Sequence, residues 1–239
     1  GFRCLAICCF CSCVLFGGES FSEEKRVVTI GVLDSSLSAT DKSAIAQTLE
    51  ALENLPGYRL DVQYYNPSEL EEQLIQKKLD YFIGTSGFYR RFQSFGLRSV
   101  ATLFTETAPN PRYATGSVFV VRNDSPIKTI SELKGKSALA SWSKGFSSYF
   151  APMGEISKQG FDPESFFAAY KTYGPPMTNL LQKLENHEGD VVLIRACLLE
   201  DLEKTQPDIF KRFRVLEEKK DNRLRCKHST DLYPNWTLV

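Results

Sequence analysis

Short apolar runs and amphipathic segments alternate along the chain, and their order predicts an α/β protein. Arg26–Leu33 (RVVTIGVL) is apolar and β-branched, as a buried strand is, and Tyr58–Tyr65 alternates like a second strand. Between them, Thr40–Leu55 has the apolar spacing of an amphipathic helix. A second helix is predicted from Ser68 to about Lys78, followed by a short strand over Asp80–Gly84. This β-α-β-α-β order predicts a parallel sheet with helices packed on it.

The start of the second helix has a capping-box pattern. In Ser68-Glu69-Leu70-Glu71, the side chains of Ser68 and Glu71 would each accept a hydrogen bond from the other's backbone N–H.

A similar alternation returns in the second half of the chain. Its predicted strands are Gly116–Val121, Ser137–Ser141, Phe167–Tyr173 and Asp190–Ile194, and its predicted helices are Ser147–Gln159 and Met177–Glu185. The segments Leu70–Thr85 and Leu180–Arg195 match coarsely, since each is a leucine-rich helix, a charged turn, an Asp and four apolar strand residues. The repeat favours two similar α/β lobes over one large sheet.

The predicted boundaries follow from this division. Residues 1–22 form a signal peptide, 23–112 the first part of lobe 1, 113–204 lobe 2, and 205–239 a return to lobe 1 with a C-terminal segment. The proline-containing segment Thr105–Thr115 is the predicted crossing between lobes, and the chain is expected to return after Asp201.

The N-terminal segment resembles an export signal. Arg3 precedes the apolar run Cys4–Phe16 and then small residues, so cleavage is expected near Ser22. A run of this length is short for a membrane span, which needs about 20 residues. An uncleaved anchor and a lipoprotein cysteine are the alternatives. Because the first residue is Gly, the chain is expected to be a fragment.

Composition excludes some function classes. The 29 Lys+Arg and 29 Asp+Glu residues cancel, which argues against a nucleic-acid binder driven by overall charge and against a polybasic peripheral membrane protein. Five of the seven cysteines lie in the predicted signal, so the mature chain keeps Cys197 and Cys226, which favours one disulfide between them. With two histidines and no metal-ligand spacing, the sequence does not support a metal or a cofactor.

Polar side chains lie just after the carboxyl ends of several predicted strands. In open parallel sheets ligands bind beyond the carboxyl ends of the strands. The candidate ligand-binding residues are Asp34, Thr85, Ser86, Tyr89, Ser141, Trp142, Phe146, Ser147, Ser148 and Arg195.

The segment Ser143–Tyr149 is the most informative of these sites. It follows a strand and opens a helix, whose N–H donors and partial positive charge attract anions. Its serines either donate to a ligand or only cap the helix. Arg195 either clamps an anion or pairs with an acidic residue, and the aromatic residues either stack on a ligand ring or belong to the core.

No catalytic constellation is present. The sequence contains no Gly-x-Ser-x-Gly elbow, P-loop or metal-binding helix motif, and a Cys197 nucleophile would have no placed partner. A binding protein rather than an enzyme is therefore predicted.

Several segments resemble the phosphate/phosphonate-type periplasmic substrate-binding family. They are Val28–Leu33, Asp80–Phe92, Gly116–Lys136 and Gly145–Pro163. Within that family, Asp190–Glu203, Phe213–Asp221 and Cys226–Trp236 are most similar to the extracytoplasmic sensor domains of tetrathionate-sensor-like histidine kinases. The resemblance implies the two-lobed type II periplasmic-binding-protein fold and a small, anionic ligand.

Two functions follow as hypotheses. The first is an extracytoplasmic sensor domain that closes on its ligand and signals to a membrane-anchored kinase. The second is a free solute-binding protein that docks on the permease of an ABC transporter. The abrupt end after Trp236 favours the first.

Overall fold

In the part of the chain that the structure describes, the fold consists of two five-stranded mixed sheets flanked by helices, as the sequence predicts. The computed structural model describes residues 25–34, 39–53, 56–104 and 107–239, so the predicted signal peptide lies outside the described residues.

The first lobe contains strands β1, β2, β3 and β4 and helices α1, α2 and α3. Their bounds are β1 Arg26–Leu33, α1 Ala39–Glu53, β2 Tyr58–Tyr65, α2 Pro67–Ile75, β3 Tyr81–Gly84, α3 Ser86–Phe92 and β4 Ala101–Thr102. Strands β1, β2 and β3 are parallel.

The second lobe follows a short 3₁₀ turn. Its elements are β5 Ser117–Arg122, β6 Ser137–Ala140, a π-helical turn Phe146–Phe150, α4 Ala151–Lys158, α5 Pro163–Phe166, β7 Ala169–Thr172, α6 Thr178–Glu185, β8 Val191–Arg195, α7 Leu198–Glu203, α8 Ile209–Arg212 and β9 Phe213–Val215. The final strand, β10, is Thr237–Leu238. Strands β6, β7 and β8 are parallel, and β5 is antiparallel to β8 and β9. The strand order is β2-β1-β3-β10-β4 in the first sheet and β7-β6-β8-β5-β9 in the second.

The central strands of the second sheet have continuous apolar runs, with polar residues only at their ends, because both faces of the sheet are covered. Val118 and Val120 of β5 pack in one cluster with α6 and α7. Phe119 and Val121 alternate with them and pack on the other face, against Ile156 of α4. A strand buried on both faces shows a continuous apolar run, which is why the sequence pattern located it.

The N-cap of helix α2 lies two residues before the predicted N-cap, Ser68. Asn66 is the N-cap, its side chain accepts from the backbone N–H of Ser68 and Glu69, and the Glu69 side chain accepts from the Asn66 N–H. The box predicted at Ser68 and Glu71 is therefore wrong. Pro67 decides between the two overlapping patterns, because proline at the first helical position is preorganised for the helix.

The chain returns to the first lobe later than the sequence predicts. Strand β9 pairs with β5 inside the second sheet, so the residues just after Asp201 stay in the second lobe. Only β10 enters the first sheet, between β3 and β4. Strand β9 has three residues, and so short a sequence does not predict which sheet the strand joins.

Two chain segments run side by side between the lobes. Thr115 and Tyr233 form an antiparallel bridge, and the Asn235 N–H donates to the Pro111 carbonyl at 2.9 Å. The expected disulfide lies beside them, with the Sγ atoms of Cys197 and Cys226 2.11 Å apart. Ala108, Leu224 and Leu232 pack around it, so the disulfide stabilises the crossing. Among the described residues, no helix has the length and apolar character of a membrane span.

Candidate functional site

The two lobes meet where α3 of the first lobe faces the π-helical turn of the second. Gly87 in the first turn of α3 lies against Phe146, and a Cβ at position 87 would be 2.6 Å from Phe146 Cδ2. On its other side, the Phe146 ring contacts the Tyr233 ring edge to face, with centroids 5.1 Å apart. The Ser86 hydroxyl donates to the Pro234 carbonyl at 2.8 Å. Phe146 thus fills the contact between the lobes.

The loop before the π-helical turn is closed by Ser148 and Gly145. The buried Ser148 hydroxyl donates to the Trp142 carbonyl at 3.0 Å. A Cβ at Gly145 would lie 2.3 Å from Ser148 Oγ and 3.1 Å from Trp142 Cβ, so glycine is required sterically. Ser148 therefore closes the loop and does not cap the helix with its side chain. A role of Ser148 in ligand binding stays a prediction.

Two residues outside the π-helical turn donate hydrogen bonds to its carbonyl groups, and neither is among the residues predicted from the sequence. The Ser117 hydroxyl donates to the Ser147 carbonyl at 2.5 Å, and the Tyr170 hydroxyl donates to the Ser148 carbonyl. Burial raises the pKa of Tyr170, so its hydroxyl keeps its proton and remains a donor. These partners are 30 and 22 residues away in the chain from the residues they contact, so a local sequence pattern does not predict the contacts.

Hydrogen-bond donors remain available at this turn. The Ser141 side chain at the end of β6 is 1% exposed, and its hydroxyl has no hydrogen-bond partner. Within the part of the chain that the structure describes, the half-buried Ser147 hydroxyl also lacks a partner. The first backbone N–H groups of a helix have no intrahelical acceptor. Hydroxyl and backbone N–H donors of these kinds can bind an oxyanion.

The remaining candidates already have partners inside the protein. Asp34 at the end of β1 pairs with Lys42 of α1, with Oδ2 and Nζ 2.5 Å apart. Thr85 caps α3 by accepting from the Phe88 N–H, and the Tyr89 hydroxyl donates to the Leu97 carbonyl. Trp142 is half-buried, and its carbonyl accepts from the hydroxyls of Ser148 and Tyr170.

Arg195 lies in an ion pair at the end of β8. Its Nη2 is 2.8 Å from Asp201 Oδ2, and its side chain is 46% exposed. This pair lowers the pKa of the Asp201 carboxyl against the opposing effect of burial. The pair is the structural alternative for Arg195, and a role as a ligand clamp stays a prediction.

A separate open depression of about 740 Å³ lies next to the disulfide, and its lining includes no residue of α3 or of the π-helical turn. Two of its acidic residues are paired inside the protein, Glu218 with Lys220 and Lys227 and Asp221 with Arg223. Across the described ranges, no group of three or more His, Cys, Asp or Glu side chains is arranged to hold a metal ion.

Known proteins match nearly the whole described chain. A family model for the periplasmic phosphonate substrate-binding protein of ABC transporters matches residues 30–239. The tetrathionate sensor histidine kinase TtrS of Salmonella typhimurium is 28% identical over 215 residues, which cover 88% of this chain and 36% of that protein. The chain thus spans about a third of the length of this curated relative.

Solved structures share the fold. PhnD1 of Prochlorococcus marinus in complex with methylphosphonate superposes with a TM-score of 0.62 at 12% identity, covering 91% of this chain and 76% of that one. A binding protein component of an ABC phosphonate transporter from Pseudomonas aeruginosa gives 0.60 at 17% identity, covering 90% and 68%.

Proposed function

Because the chain belongs to the phosphonate-type periplasmic substrate-binding family of ABC transporters, we propose that it captures a small anionic solute between its two lobes. The buried Ser141 hydroxyl carries this proposal. A buried polar group without a partner costs free energy, and an oxyanion would remove that cost.

The anion is proposed to lie at the start of the π-helical turn. There the Ser141 and Ser147 hydroxyls and the free N–H groups of the turn donate to its oxygens, and the partial positive charge of the helix favours the anion. Thr85 and Ser86 would close over the ligand from the first lobe, which already contacts the turn through Gly87. Such a site binds its ligand without a catalytic step.

Calorimetry with phosphate, methylphosphonate and an alkanesulfonate tests this site. Ser141→Ala removes a donor to a charged ligand and should weaken binding about tenfold or more. Ser143→Ala is the matched control, because Ser143 is an exposed serine of the same loop. Equal affinity of parent and Ser141→Ala for every anion bound, or no binding of any of them, contradicts the proposal.

Arg195→Ala separates the two roles of that arginine. A loss of affinity assigns the guanidinium to the ligand, whereas unchanged affinity leaves it as the partner of Asp201.

The output of ligand binding is proposed to be closure of the lobes, signalled to a membrane-anchored histidine kinase. The similarity to TtrS supports a sensor, and the periplasmic family supports a location outside the cytoplasm. The alternative is a free periplasmic binding protein that delivers its ligand to a permease, which the family assignment supports. The coding sequence after Val239 distinguishes them: a membrane-length apolar run supports the sensor, and a stop codon supports the transporter component.

A further inference from the structure

An exposed apolar stretch follows α3 along one edge of the first sheet. Phe95, Val100, Leu103 and Phe104 are 59, 64, 42 and 62% exposed. Strand β4 lies within this stretch and is the outermost strand of its sheet. On its inner side the Val100 and Leu103 N–H groups donate to the carbonyls of Leu238 and Trp236. We call residues 95–104 the edge patch.

Positive charge accompanies the edge patch. Between Tyr81 and Phe104 the chain has three arginines and no acidic residue. Arg91 pairs with Glu71 of α2, whereas Arg90 and Arg98 are exposed and have no acidic partner in the ranges that the structure describes. The zero net charge of the chain therefore hides a local basic and apolar surface.

A second copy of this chain is a poor occupant for this surface. A symmetric pairing would set this basic and apolar surface against its own copy, which has no acidic residue between Tyr81 and Phe104 to match the arginines. A surface that is apolar and basic is complementary to one that is apolar and acidic. Anionic lipid membranes offer this combination, since apolar side chains enter the interface while arginines contact the headgroups.

We propose that the edge patch docks the first lobe on an anionic membrane surface. Helix α3 contacts the second lobe at its first turn and ends at Phe92, beside Phe95, so the patch begins at the opposite end of the helix from the proposed ligand site. Docking therefore leaves the contact between the lobes open to ligand. It would hold the first lobe on the membrane while the second lobe moves.

Tryptophan placed in the edge patch tests the docking directly. Phe95→Trp and Phe104→Trp are made separately in the full chain, and Ile75→Trp, 55% exposed at the end of α2, is the matched control. Vesicles of phosphatidylglycerol with phosphatidylcholine should blue-shift the emission at positions 95 and 104 but not at 75. Because the readout is local, binding through the N-terminal apolar segment does not imitate it.

The charge requirement is tested with the same probes. Each arginine near an anionic surface contributes about fivefold to binding, so Arg98→Glu in the Phe95→Trp background should weaken the response roughly twentyfold or more. Pure phosphatidylcholine should give little shift. An unchanged emission at 95 and 104, an equal shift at 75, or an equal response to phosphatidylcholine overturns the proposal. A concentration-dependent shift without vesicles overturns it in favour of a second copy.

Discussion

Asp221 is held in its charged form by its own neighbourhood. Hydrogen bonds from Arg223 place the pKa of its carboxyl at about 2, and the Nη2–Oδ2 distance is 2.6 Å. Since the folded pKa lies below the unfolded one, the stabilisation is complete above pH 4 and is lost as pH falls through about 2. Arg223→Gln should raise the pKa of Asp221 towards its ordinary value in carboxyl-detected NMR titrations.

Glu132 is the internal control for that titration. Its pKa is lowered by the backbone N–H of Lys128, which Arg223→Gln leaves untouched. An Asp221 pKa that stays near 2 in the variant would contradict the assignment to Arg223.

Two glycines near the site should respond oppositely to alanine. Gly145→Ala places a methyl group on Ser148 Oγ and Trp142 Cβ, and overpacking of this kind costs about 1–3 kcal/mol. Gly154 lies inside α4, where the nearest atom to a new Cβ is Tyr233 Oη at 3.8 Å, so Gly154→Ala should stabilise by roughly 0.5–1 kcal/mol. Urea unfolding of both variants checks the signs. A stable Gly145→Ala protein with unchanged anion affinity would contradict the tight loop.

At the scale of elements, the sequence predicts what is local. Strands β1 and β2 have the predicted bounds, because apolar patterning and flanking turns define them within a few residues. Helix α3 was missed, since its seven residues are too few to show periodicity. The place of β9 and the support of the π-helical turn by Tyr170 depend on contacts distant in sequence. For the same reason the candidate serines could be identified from sequence, but not which hydroxyls are already engaged.

The disulfide connects the start of α7 to the crossing between the lobes. Cys197 and Cys226 are 29 residues apart, and closing a loop of this length stabilises a protein by about 3 kcal/mol. Reduction should therefore lower the midpoint of urea unfolding. The Cys197→Ala/Cys226→Ala double variant should be equally destabilised and insensitive to reductant, whereas a variant as stable as the oxidised parent would contradict this role.

At the scale of the whole molecule, the proposed closure should depend on the small space between α3 and the π-helical turn. Gly87→Ala would place its methyl group 2.6 Å from Phe146 Cδ2, and Tyr233 limits retreat of the ring on the other side. The variant should hold the lobes apart without harming α3, because alanine favours a helix. We expect a larger radius of gyration in small-angle scattering with saturating anion, and weaker anion binding by calorimetry. Adding Phe146→Ala to the Gly87→Ala protein removes the clash and should restore closure. A Gly87→Ala protein as compact as the parent at saturating anion would show that this contact does not limit closure.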